Sequence, residues 1–142
     1  MVDKKRVEKM RVLLPPKYLC KKMSKLLQEF YDNEKDNTGV IKIDNYKIFK
    51  EAVKIFCDWY ELEYPITHFK RVIDKTHSLG ECTENGIINL LYPNIFYIRK
   101  QKQKLSCNYI SLVYHELGHY YLWSNPETKA LEFELKMTKR GR

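Results

Sequence analysis

Apolar residues recur with a helical period in five stretches of this chain, and the polar breaks between them set the expected elements. Residues 4–14 carry one such pattern (Val7, Met10, Leu14), which Pro15-Pro16 ends. A second helix is expected over 17–31, with Leu19, Met23, Leu26 and Phe30 inward and Pro16 at its start. Residues 32–39 are polar and turn-forming, and Val40–Ile43 reads as a short strand. Asp44 is the expected N-cap of a third helix reaching Tyr60, with Phe49, Val53, Phe56 and Tyr60 inward.

After Pro65 the character changes. Ile66–Ile73 and Ile87–Leu91 read as strands, and Thr83-Glu84-Asn85-Gly86 is a turn carrying the Asn-Gly hairpin signal. Ile95–Arg99 reads as a further strand. Either Ile87–Leu91 or Ile95–Arg99 is expected at the sheet edge, beside a cleft where an extended peptide could add. A helix over 106–123 follows, then Ser124-Asn125-Pro126, then a last helix over 126–138. Helices, a small antiparallel-rich sheet and two more helices make an α+β fold. The reading is one domain over 1–142, with a helical part at 1–62 and a compact core at 66–138.

Composition narrows the class. The chain has 142 residues, 44% hydrophobic and 31% charged, which excludes a disordered protein and suits one packed core. No apolar run approaches a membrane span, and no apolar block follows the basic start, so the expectation is a cytoplasmic protein without a membrane partner. Cys20, Cys57, Cys82 and Cys107 form no C-x-x-C pair and read as free thiols. The net charge of +8 sits in lysine clusters at 4–25, 100–104 and 136–142. It could attract nucleic acid or an acidic protein; a solubilising surface is the simpler reading.

The chemistry concentrates in His115-Glu116-Leu117-Gly118-His119, an H-E-x-x-H sequence. On a helix, His115 and His119 lie one turn apart on one face and can share a Zn2+ ion. Glu116, rotated by about 100°, borders that ion and can act as general base on a zinc-activated water. Ile110, Val113, Leu117 and Tyr121 form an apolar stripe roughly opposite the histidines. The plainer alternative is a buried amphipathic helix whose histidines satisfy each other or a carboxylate.

A catalytic zinc usually takes a third protein ligand, and no histidine follows His119. The candidates are Glu127, Glu132 and Glu134 on the last helix. Its inward arc, Ala130, Leu131, Phe133, Leu135 and Met137, includes Glu127 and Glu134 and leaves Glu132 outside. An antiparallel hairpin about residues 124–125 places Glu134 about 3 Å and Glu127 about 7 Å from the histidine level along the axis. That favours Glu134 without excluding Glu127, which could instead close a capping box with Ser124. Tyr114, Tyr120 and His77 are candidates for stabilising an oxyanion.

The motif and the glutamate-bearing helix after it resemble the gluzincin metallopeptidases, in particular the small ImmA/IrrE-like family. The likeness covers roughly residues 66–138 and is specific only in the five-residue motif. The family's last helix often reads E-x-x-A-[N/D]-x-F-A; here Glu127, Ala130 and Phe133 fit, while Leu131 and Glu134 depart from it. That register makes Glu127 the ligand. The resemblance implies an intracellular zinc metallopeptidase acting on a peptide or protein substrate, often a DNA-bound regulator. SprT-like proteases share the layout but use a histidine as third ligand. A basic binding or regulatory protein on the same fold, without catalysis, is the alternative. The sequence leaves substrate and oligomeric state open.

Overall fold

The computed structural model describes residues 13–73, 79–122 and 127–142. The elements run α1 (Lys17–Glu34), α2 (Ile43–Tyr60), β1 (Thr67–Lys70), β2 (Gly80–Cys82), β3 (Ile88–Leu91), α3 (Pro93–Gln103), α4 (Tyr109–Leu122) and α5 (Glu127–Arg140). The class is α+β, as expected. The expected helix over 4–14 lies almost wholly outside the described residues, as do His77 and the Ser124-Asn125-Pro126 turn.

α1 and α2 form an antiparallel pair. Met23, Leu27 and Phe30 from α1 meet Phe49, Val53 and Phe56 from α2 in the core. The buried stripe of α1 passes through Cys20 and Leu27, where Leu19 and Leu26 were expected to lead it. Glu34 ends α1 fully buried, and its carboxylate accepts hydrogen bonds from the amides of Asn37 and Asn45 and from the Lys42 backbone. That network fixes residues 35–42 as a loop. Val40–Ile43 is therefore not a strand; Val40 and Ile43 are exposed, and Ile43 opens α2. The N-cap of α2 is Lys42, and Asp44 sits in the first turn.

The sheet has the order β1-β3-β2. β1 pairs parallel with β3 (Thr67 with Ile88), and β2 pairs antiparallel with β3 (Cys82 with Ile88). The sheet is thus mixed rather than antiparallel-rich. The Asn-Gly turn forms as read: Gly86 takes φ 80° and donates to the Thr83 carbonyl, while the Thr83 hydroxyl accepts from the Ile87 N–H. β3 is buried along its whole length and central, so it is not the edge.

Ile95–Arg99 is not a strand either. Pro93 occupies the first turn of α3, where a missing N–H costs nothing, and Arg99 to Gln103 are good helix formers. Only Pro93 and Phe96 are buried on α3, so its apolar residues lack the alternation that a half-buried strand shows. The edge beside the motif helix is β2, at Gly80–Cys82.

α4 is the centre of the molecule. Residues on nearly every side of it are buried, including Tyr109, Leu112, Val113, Tyr114, Leu117 and Tyr120. The Tyr109 hydroxyl donates to the Leu91 carbonyl (2.7 Å), which ties the start of α4 to the end of β3. α5 packs on α4 through Ala130, Phe133 and Met137. Leu131 and Leu135 are 47% and 59% exposed, so the buried face of α5 is narrower than its apolar pattern suggests. One continuous core joins α1, α2, the sheet, α4 and α5. Among the described residues no helix is long and apolar enough to cross a membrane.

Candidate metal centre

His115 and His119 are the half-open positions of a helix that is otherwise almost wholly buried. Their rings sit 4.9 Å apart on one face, as the i, i+4 spacing dictates. α5 returns across this face because Gly118 leaves room for it. A Cβ at Gly118 would lie 3.2 Å from Phe133 Cβ and 3.3 Å from its Cγ. The glycine inside the motif thus lets α5 pack closely on α4, with the α5 glutamates against the histidines.

Glu127, the first residue of α5, bridges the two rings. Its Oε2 lies 2.9 Å from His115 Nε2 and its Oε1 lies 2.9 Å from His119 Nε2. The ligand atoms of His115, His119 and Glu127 all fall within 4.8 Å of one another and could hold one metal ion. Glu134 occupies a different place: its Oε1 is 2.9 Å from His115 Nδ1, on the far side of the same ring. Glu132 points away and pairs with Lys136 (2.8 Å) and Lys129 (3.4 Å). Height along the helix axis favours Glu134, but it is not the whole distance; a glutamate side chain from the start of α5 spans the remainder to both Nε2 atoms. The Glu127 side chain is 76% exposed, so this side of the cluster faces solvent.

The hydrogen-bond arithmetic at His115 is informative. A neutral imidazole carries one N–H, yet both ring nitrogens face carboxylate oxygens at 2.9 Å. If Nδ1–H donates to Glu134, Nε2 presents a lone pair to an acceptor. Either a second proton or a cation resolves that clash. Accordingly the hydrogen bond to Glu134 is the main cause that pushes His115 above the usual histidine range, against a smaller opposing effect of burial.

Glu116 projects from α4 beneath β2. It is 4% exposed, and among the described residues no group hydrogen-bonds its carboxyl. Burial is the dominant cause that raises it to about 7; neighbouring His115 lowers it, and Glu127, Glu81 and Glu134 raise it. Gly80 makes the space: a Cβ there would lie 3.2 Å from Glu116 Oε2, 3.2 Å from the Asn89 carbonyl and 3.1 Å from Leu112 Cδ1. The role of Gly80 was missed in the sequence, where a glycine ahead of a hairpin turn carries no sign of the helix it faces.

Tyr114 does not reach this site. It is fully buried, and its hydroxyl pairs with Ser24 (2.6 Å) on the opposite flank of α4. The Tyr120 hydroxyl donates to the Glu63 carbonyl (2.6 Å). The cluster thus holds two imidazoles and a carboxylate, a second carboxylate behind one ring, and a buried glutamate beside them. Those donor types match a zinc site built from two histidines and a carboxylate. Comparison with known proteins finds no matching family model, no matching curated protein and no matching solved structure.

Proposed function

We propose that the chain is a zinc-dependent metallopeptidase of zincin-like architecture, with His115, His119 and Glu127 holding the ion. The observation that carries the reading is the cluster itself: one ligand atom each from His115, His119 and Glu127 within 4.8 Å of one another, where a cation would also satisfy the His115 nitrogen that faces Glu127. Zinc bound there supplies Lewis acidity toward a scissile carbonyl and makes water a better nucleophile at neutral pH.

The chain's own residues supply the remainder. Glu134 accepts the Nδ1–H of His115, which fixes the tautomer and leaves Nε2 as the metal-facing nitrogen. Glu116, buried beside the cluster, is the carboxylate placed to take a proton from attacking water and return it to the leaving amine. The backbone of β2 at Gly80 runs past Glu116 and is the strand edge along which an extended peptide would lie.

The test is zinc content and peptide hydrolysis measured together. Wild-type protein is expected to carry one zinc per chain and to cleave an unstructured polypeptide; His115→Ala is expected to lose both. Wild-type protein that takes up no zinc from an excess would leave a binding protein on this fold as the better reading.

A further inference from the structure

On the flank of α4 away from the histidines lies a cavity of about 320 Å³ that the peptidase chemistry does not use. Its wall brings together parts of the chain that are remote in sequence. Lys21, Ser24 and Lys25 come from α1, Asn108 from the segment before α4, and Thr138 and Arg142 from the end of α5. Two of the three basic stretches of the sequence, 4–25 and 136–142, therefore meet here, while the lysine run at 100–104 stays outside the wall.

The wall offers donors and cations and, among the described residues, has no acidic side chain. Lys21 and Lys25 lie one turn apart on α1 and are exposed, and the exposed Arg142 lines the same wall. The neutral groups add to the same polarity. Ser24 shares a hydrogen bond with the buried Tyr114 hydroxyl (2.6 Å), and Thr138 shares one with Ser111 (3.1 Å). Each pair uses one of its two hydrogens between its members; with Tyr114 and Ser111 as the donors, the O–H groups of Ser24 and Thr138 are left for the wall. Asn108 gives its carbonyl oxygen to the Ser111 N–H (2.8 Å), which leaves its NH2 group as a donor.

From this we infer that the cavity binds a phosphate group. A tetrahedral dianion with several acceptor oxygens matches three cations and the neutral donors beside them, whereas a carboxylate satisfies fewer of them. The inference is independent of the metallopeptidase reading, because no residue of the wall belongs to the metal cluster. A free nucleotide and a nucleic-acid strand present the same group, and chain length separates them.

The experiment is an amide-resolved NMR titration of the full chain with inorganic phosphate, adenosine monophosphate, a short oligothymidylate and, as control, acetate. Phosphate is expected to move the amides of Ser24, Asn108 and Thr138, and acetate is expected to bind more weakly. The Lys21→Gln/Lys25→Gln variant should lose affinity by about tenfold or more. Lys100→Gln/Lys102→Gln, which removes equal charge outside the wall, should lose less than about twofold. Shifts centred on residues 115–119, equal loss in both variants, or acetate binding as well as phosphate would each overturn the assignment. Affinity that climbs from the monophosphate to the oligonucleotide identifies a strand as the source; equal affinity identifies a nucleotide.

Discussion

Glu134 and His115 are joined through Nδ1 at 2.9 Å, while the opposite nitrogen of the same ring faces Glu127. The two α5 glutamates thus divide one imidazole between them. The expected consequence is a graded loss of metal. Glu127→Ala should release zinc outright, because it removes the oxygen donors that face both histidines. Glu134→Ala should keep the ligand set and weaken affinity by about 10–100-fold, the usual effect of removing a carboxylate behind a metal-ligating histidine. Competition against a chromophoric chelator reads both. Complete loss in Glu134→Ala with retention in Glu127→Ala would exchange the two roles.

Gly118 offers a test of how the site is assembled. In an isolated helix Gly→Ala stabilises by about 1 kcal/mol. Here the added methyl meets Phe133 at 3.2–3.3 Å, close to the α5 backbone. Overpacking of that kind costs about 1–3 kcal/mol, so the net effect is expected to be destabilising, with weaker zinc binding as α5 is pushed outward. Denaturant unfolding and chelator competition on Gly118→Ala would show it. A variant more stable than wild type, with unchanged zinc affinity, would mean that the helices do not depend on this approach.

Gly80 should behave differently. A methyl there crowds Glu116 Oε2, the Asn89 carbonyl and Leu112, none of which belongs to the ligand set. Gly80→Ala is expected to leave zinc stoichiometry intact and to lower turnover, because the general base and the strand edge are displaced together. Equal loss of zinc and of turnover would instead point to a general loss of folding.

The features visible in the sequence were those carried by short-range periodicity. The H-E-x-x-H spacing placed His115, Glu116 and His119, and the Asn-Gly signal placed the 83–86 turn, because each rests on backbone geometry within a few residues. The third carboxylate was not decided that way. Glu127 and Glu134 share a face of α5, and which of them meets Nε2 depends on how α5 crosses α4, a tertiary quantity to which Gly118 against Phe133 contributes. Ile95–Arg99 failed as a strand for a related reason: a short, half-apolar run has no period of its own, and Pro93 and the following polar helix formers decided it. The exposure of Leu131 and Leu135 was likewise hidden, since an apolar wheel position does not say how wide a neighbouring surface is.

Glu116 gives a prediction that needs no substrate. Its folded-state pKa of about 7 exceeds the ordinary 4.5, and burial is the leading cause. A group raised in this way contributes stability that is fully present below about pH 4.5 and lost as pH rises through about 7, because the unfolded chain releases its proton first. Zinc-stripped wild-type protein should therefore lose about 3 kcal/mol from this group between pH 4 and pH 8, since raising a pKa by one is worth about 1.4 kcal/mol. Glu116→Gln has no charge to desolvate, so its stability relative to wild type should rise by a similar amount across that window. Restoring zinc should flatten the wild-type slope, since a cation beside the carboxylate favours its ionised form. Urea unfolding of both proteins across the range, with and without zinc, measures all three effects. A stability difference that stays constant from pH 4 to pH 8 would show that Glu116 is not held as a buried acid, and the general-base role would lose its physical basis.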